Sequence, residues 1–245
     1  MFVFFDIGDT LVDETRYAQA IQQSLHGLLA KYGLGYTIDQ FLTHWDTSVA
    51  QKGWRGLFAI LADIAELSGH SLFWAMDIFQ EYTLHVAPRA SDLFEPFPDA
   101  RTTLELLSQS ARANNKLRFG ILANQPPWIR RRMEEWGLLN FFEPQAVIIS
   151  DEIGVSKPQP EIFQFALYRA DVLPQEAVMI GNDYQNDMQP AKALGWHTIW
   201  LRRPNPYQRN QPSQPDDLSA ADVQIYQLSE IPTVLEALLH RRSEQ

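Results

Sequence analysis

The sequence predicts a doubly wound α/β fold, a parallel sheet with helices on both faces, interrupted early by a smaller all-helical domain. Three observations carry this expectation. Short apolar runs alternate with helix-like stretches. The runs are continuous rather than alternating, as strands covered on both faces require. Residues 15–91 repeat their apolar positions at helical spacing.

The predicted strands are Phe2–Phe5, Leu117–Leu122, Ala146–Ile149, Ala177–Ile180 and the less apolar Thr198–Leu201. Helix signals separate them. Asp99 can cap Ala100–Ala111, and Pro126-Pro127 opens a helix that Gly137 closes. Pro158 opens Gln159–Ala170, and Gly195 ends the helix running from Asp187. In the insertion, Tyr17, Ile21, Leu25, Leu28, Leu29 and Tyr32 share one helical face. Thr37 and Gln40 form a capping box ahead of Phe41, Trp45 and Val49, and further helices are expected over Trp54–Leu67 and Ser71–Val86. Asp92–Pro98 reads as the return linker. Arg202–Ser219, with Pro204, Pro206, Pro212 and Pro215, reads as a surface loop, and residues 229–241 as a closing helix. The expected domains are therefore 1–14 with 92–245, and 15–91.

Composition excludes several classes of chemistry. The 245 residues, 45% hydrophobic and 20% charged, suit a globular protein. With no cysteine, disulfides, thiolate metal sites and a cysteine nucleophile are ruled out. The net charge of −10 gives nucleic acid or an anionic membrane no general attraction. No apolar run reaches bilayer length, and the acid at position 6 comes too early for a secretory signal. A soluble, cytoplasmic protein is expected. Oligomeric state is not legible.

In an open parallel sheet, ligands bind beyond the carboxyl ends of the strands. Asp6 follows the first predicted strand, Ala123-Asn124 the second and Asp183 the fourth, while Lys157 lies in the loop after the third. Each has a plain structural alternative as a turn, cap or solvated residue. Convergence on one rim is what turns them into a candidate site.

These segments resemble the motifs of the haloacid dehalogenase superfamily of hydrolases, whose core is Rossmann-like. Phe5-Asp6-Ile7-Gly8-Asp9-Thr10-Leu11 is similar to the first motif, and Ile121-Leu122-Ala123-Asn124 stands in the place of the second. Lys157-Pro158-Gln159-Pro160-Glu161-Ile162-Phe163 is similar to the third, and Ile180-Gly181-Asn182-Asp183-Tyr184-Gln185-Asn186-Asp187 to the fourth. Order and separation match across Phe2–Leu201, and the helical insertion lies where many members carry a cap. The resemblance implies Asp6 as a nucleophile that forms an aspartyl-phosphate. It implies Mg2+ held by Asp6, Asp183 and the carbonyl of Gly8, and Lys157 as the cation beside the phosphoryl group. Thr10, Asn186 and Asp187 would support them.

Two positions depart from the pattern. Most phosphatases of the superfamily have a second aspartate two residues after the nucleophile, to protonate the leaving group and then activate water; here Gly8 stands there. Asp9 and Glu14 are candidates to replace it. Ala123 stands where a serine or threonine usually binds the phosphoryl group, so Asn124, or backbone N–H groups leading into the Pro126 helix, would take over. In the cap, Lys52, Trp54 and Arg55 beside Gly53 and Gly56 form a candidate substrate cluster, with Arg55 as the contact; their structural alternative is a solvated loop with a buried tryptophan. The expected activity is Mg-dependent hydrolysis of a small phosphorylated metabolite. A barely catalytic phosphate-binding protein is the alternative, and a haloacid dehalogenase is third, disfavoured by Asp183.

Overall fold

A computed structural model describes residues 1–21, 24, 37, 40, 43, 44, 57–114, 116–203 and 218–243. The chain divides into two compact units, Met1–Asp13 with Glu95–Gln245, and Glu14–Phe94.

The first unit is built on a six-stranded sheet. Its strands are β1 (Phe2–Phe5), β4 (Arg118–Ala123), β5 (Val147–Ile149), β6 (Ala177–Gly181), β7 (His197–Leu201) and β8 (Val223–Ile225). The short β2 (Val12–Asp13) and β3 (Glu95–Pro96) pair antiparallel beside it, where the chain leaves and re-enters the unit. The sheet order is β5-β4-β1-β6-β7-β8, and every neighbouring pair is parallel. The chain therefore moves outward from β1 through β4 to β5, then returns to place β6 on the other side of β1. That reversal is the switch point at which such sheets open a crevice.

All four residues of β1 are fully buried. Phe2 and Phe4 join the cluster of Ile162, Phe163, Met179 and Trp196, with ring centroids of Phe4 and Trp196 5.2 Å apart. Phe5 instead meets Phe119 and Phe142, at 6.4 and 5.9 Å. Successive side chains enter opposite faces, so an unbroken apolar run is what this strand needs.

The five predicted strands all form, each within a residue or so at either end. The short, half-polar β8 and the two-residue β2 and β3 carried no such signal. The helix expected from Asp187 opens instead as a wide turn at Tyr184–Met188 and becomes α-helical at Gln189–Ala193, before Gly195 (φ 85°) ends it. The helix expected at Gln159 starts at Pro160, with Gln159 extended ahead of it. Asp99 does not use its side chain as a cap. Its carboxylate accepts Arg203 at 3.0 and 3.2 Å and the Leu228 N–H at 3.2 Å, which turns it away from its own helix.

In the second unit the described residues include helices at 15–21, Leu57–Leu67 and Leu72–Glu81, then a wide turn at Tyr82–Val86 and a tight one at Ala87–Leu93. Leu61, Ile64, Trp74 and Ile78 are buried. Tyr17 stacks near Phe94, and its hydroxyl lies 3.1 Å from that of Tyr82. Thr37 and Gln40 make the expected reciprocal bonds, Gln40 N–H to Thr37 Oγ1 at 3.2 Å and Thr37 N–H to Gln40 Oε1 at 2.8 Å. Leu25, Leu28, Leu29, Tyr32, Phe41, Trp45, Val49, Lys52, Gly53, Trp54, Arg55 and Gly56, and most of the proline-rich loop, lie outside the described residues. Among the described residues no helix is long and apolar enough to cross a membrane.

Candidate active site

Asp6 is the first residue past β1, at the carboxyl edge beside the switch point. Its N–H continues the ladder to the Ile180 carbonyl at 2.9 Å. The chain then turns tightly: the Ile7 carbonyl accepts N–H groups from Thr10, Leu11 and Val12, and Asp9 N–H bonds to the Val12 carbonyl. The left-handed position of this turn is Asp9 (φ 50°), a residue type that tolerates it. Gly8 is not among the residues with positive φ. The N–H groups of Ile7 and Gly8 take no part in the backbone bonds of the turn.

Lys157 reaches this edge from the loop after β5, and its side chain is 3% exposed. Its Nζ donates to Asp6 Oδ1 at 2.7 Å and to Asp187 Oδ1 at 2.5 Å. The other oxygen of Asp187 accepts the Asp183 N–H at 3.1 Å. Asp183 follows β6 and caps the turn after it: Oδ1 accepts N–H groups of Gln185 and Asn186, and Oδ2 accepts the Asn186 amide at 2.6 Å. Thr10 Oγ1 lies 3.3 Å from Asp6 Oδ2 and 3.2 Å from Asn182 Oδ1, and its single proton serves one of them at a time. The sequence thus brings Asp6, Thr10, Lys157, Asp183, Asn186 and Asp187 into one network.

The electrostatics follow from burial. Desolvation works against the charge on Lys157, but Asp187 and Asp6 outweigh it and hold the ammonium above the ordinary lysine range. Burial raises Asp183, against the pull of Asn186. It pushes Asp187 up to about 8, with Lys157 opposing and Asp6 and Asp183 adding to the rise. Both Asp187 oxygens nevertheless face donors, an arrangement that suits the carboxylate.

Asn124 is placed differently from expectation. Its amide oxygen accepts the Lys157 N–H and its Nδ2 donates to the Lys157 carbonyl, both at 2.8 Å. The expected hydrogen bond from Asn124 to a phosphoryl group is thus reduced to one remaining amide N–H, because the Lys157 main chain already fills the rest. Arg55 lies outside the described residues.

Three residues that hold the site are not singled out by the sequence, although Gly181 and Asn182 lie within the fourth motif. Ser150, at the end of β5, accepts the Gln125 N–H at 3.2 Å and so ties the loop after β4 to its neighbour. Its position on the strand rim could have marked it. Asn182 contacts Thr10 through its side chain and the Trp200 indole through its carbonyl. Gly181 is required by packing: a Cβ there would lie 2.1 Å from Asp187 Oδ2.

With Asp6, Asp183 and Asp187 all ionised, the buried site would carry two more negative charges than Lys157 offsets. A divalent cation fits that deficit. Asp6 and Asp183 each keep lone pairs beyond the bonds described. Among the described residues no group of three or more acids or histidines converges as a metal site. A cation here would draw on two carboxylates, a carbonyl and water, the sparse oxygen set that magnesium accepts.

The profile of the haloacid dehalogenase-like hydrolases matches residues 1–195. The chain belongs to that family. Among its curated relatives is a glyceraldehyde 3-phosphate phosphatase of Pyrococcus furiosus, 26% identical over 244 residues, covering 96% of this chain and 92% of that one. A phosphoserine phosphatase of Thermus thermophilus is 33% identical over 121 residues, 47% of this chain and 48% of the relative. Among solved structures, a HAD hydrolase of Bacillus subtilis bound to magnesium superposes with TM-score 0.65 at 17% identity, over 96% of this chain and 97% of that one. That likeness shows the fold. This hydrolase has the family's six-stranded parallel sheet, with its candidate catalytic acids at the carboxyl edge of the sheet.

Proposed function

We propose that this hydrolase is a magnesium-dependent phosphatase of a small phosphorylated metabolite, working through an aspartyl-phosphate on Asp6. The observation that carries the reading is the buried Lys157 Nζ held between Asp6 and Asp187. A cation fixed beside a carboxylate at a strand end suits the attack of an anion on an anion: it lowers the repulsion between Asp6 and the phosphoryl oxygens and needs no reorganisation as charge develops. The relatives named as phosphatases of glyceraldehyde 3-phosphate and of phosphoserine support a small phosphorylated substrate.

Asp6 attacks phosphorus and the substrate oxygen leaves; water then attacks the aspartyl-phosphate and releases phosphate. Asp6, Asp183 and the Gly8 carbonyl would hold magnesium, which would supply charge neutralisation of the phosphoryl oxygens. Lys157 stabilises the same oxygens, Thr10 and Asp187 hold Asp6 and Lys157 in place, and Asn186 fixes Asp183. The N–H groups of Ile7 and Gly8 stand beside the nucleophile as donors for the phosphoryl group. Unit Glu14–Phe94 serves as the cap, and Arg55 within it contacts the substrate tail; Arg55→Ala should raise KM with kcat little changed.

Gly8 shapes the chemistry. A leaving oxygen receives no proton from position 8, so substrates whose leaving groups depart as stable anions, such as acyl and aryl phosphates, should form the intermediate fastest, with alkyl phosphates slower. Breakdown should be slow for both, giving a burst of leaving group. The same Gly8 and Ala123 favour the second reading, a phosphate-binding protein with little turnover. Phosphate release from a metabolite panel with and without magnesium separates the two, and halide release in chelator tests the dehalogenase. Beryllium fluoride with magnesium should give a stable adduct on Asp6, absent in Asp6→Asn. Turnover that survives Asp6→Asn refutes the nucleophile.

A further inference from the structure

We infer that Asn124 is a positioning residue for Lys157, clamping the lysine's main-chain N–H and C=O, on either side of its Cα, so that its ammonium lands between Asp6 and Asp187. The inference rests on the reading of Lys157 as the phosphoryl-neutralising cation.

Asn124 follows β4, and Lys157 is 33 residues away in the loop after β5. The two carboxyl ends are neighbours only because β4 and β5 pair, with Ala123 opposite Ile149. One amide then bonds both polar atoms of the Lys157 main chain, at 2.8 Å each. Two bonds from one planar amide fix direction as well as distance, as a strand partner would. The lysine stem is long and has four rotatable bonds, so anchoring the ammonium alone would leave its root free to move. Here the chain is held at both ends: Asn124 at the backbone, Asp6 and Asp187 at Nζ. The loop carrying Asn124 is itself tied to the end of β5 through Gln125 N–H and Ser150 Oγ. A misplacement of about 1 Å at a catalytic group is enough to lower a rate by roughly 10²-fold. The clamp therefore accounts for an asparagine directly after Ala123, at a position that supplies no hydroxyl for the phosphoryl group.

Two readouts test this on the full-length protein with magnesium. The first is protection of Lys157 from an amine-acylating reagent, mapped by mass spectrometry with the exposed Lys116 and half-exposed Lys192 as internal controls. Asn124→Leu, which keeps the size of the side chain and removes both bonds, should raise Lys157 labelling at least about 10-fold without changing the controls. The second is a double-mutant cycle on orthovanadate affinity, measured by calorimetry. Asn124→Leu should weaken vanadate roughly 10-fold in the wild-type background and less than about 2-fold in Lys157→Met, because a positioning residue has nothing left to position. Equal weakening in both backgrounds means that Asn124 meets the phosphoryl group itself and overturns the inference. So does unchanged Lys157 labelling. Failure of the phosphatase reading looks different: vanadate then binds the wild type no better than Lys157→Met or Asp6→Asn, while the labelling result still decides whether the clamp exists. Circular dichroism and thermal melting establish that each variant is folded, and Asn124→Ala replaces Asn124→Leu if the bulkier side chain unfolds the loop.

Discussion

The candidate site has two halves that differ in kind. Around Lys157, Asp6, Asp183 and Asp187, polar atoms are bonded at 2.5–3.1 Å and the lysine and Asp187 are almost wholly buried. At Gly8 and Ala123, a few residues away along β1 and β4, side chains offer neither a proton nor a hydroxyl. The contrast teaches that neutralising a phosphoryl group and moving its protons are separable tasks, carried by different positions of one rim. In the first half, Lys157 supplies a charge that stays fixed near neutral pH. The second would need an acid able to gain and lose a proton near neutral pH.

The contrast can be broken from either side. The largest effect is expected in the charged half: Lys157→Met removes the fixed cation and should lower kcat on p-nitrophenyl phosphate by about 10³-fold or more, measured under single-turnover conditions. A loss below tenfold would mean that the metal alone neutralises the phosphoryl group. In the other half, Gly8→Asp should speed the slow phase after the burst, by up to ~10²-fold, and help alkyl substrates most. Gly8 is not among the residues with positive φ, so no left-handed strain opposes a side chain there. An unchanged slow phase in the folded variant means that another group already supplies the proton.

Gly181→Ala sharpens the comparison through packing. The new methyl group must displace the Asp187 carboxylate, and with it one of the two partners of Lys157. A destabilisation of roughly 1–3 kcal/mol is expected by denaturant titration, with kcat falling further than the loss of folded protein explains.

The smallest effect is a slope. Asp187 has its pKa raised by burial, so the fold favours its protonated form. Relative to the unfolded chain, at ~3.9, ionised Asp187 therefore burdens the fold increasingly as pH rises from about 4 to about 8. Asp187→Asn removes that burden. In chelator, the melting temperature of Asp187→Asn minus that of wild type should become more positive between pH 5 and pH 8. A flat difference would show that Lys157 already compensates the charge in full.

Much of this was legible along the chain. Five of the six strands of the main sheet announce themselves as unbroken apolar runs, since β1 and its neighbours are buried on both faces. The half-polar β8, at the sheet edge with two of its three residues only partly buried, gives no such signal. Asp6, Lys157 and Asp183 were legible as residues following strands, because a parallel sheet sends every strand's carboxyl end to the same rim. The sequence also showed Gly8 and Ala123 as absences, since a missing carboxyl or hydroxyl is visible without coordinates.

Contacts between distant segments were not legible, and they decide how the site works. The bonds of Asn124 to Lys157, of Asp187 to Asp183 and Lys157, and of Asp99 to Arg203 depend on strand order and side-chain direction. Spacing along the chain fixes neither. Only the folded sheet, with β1 between β4 and β6, decides that Asn124 meets a lysine backbone, and that Gly181 must stay small. The physical reason is that the sequence sets which groups are available and on which edge, while hydrogen bonds are settled at about 3 Å by whichever donors and acceptors packing brings together.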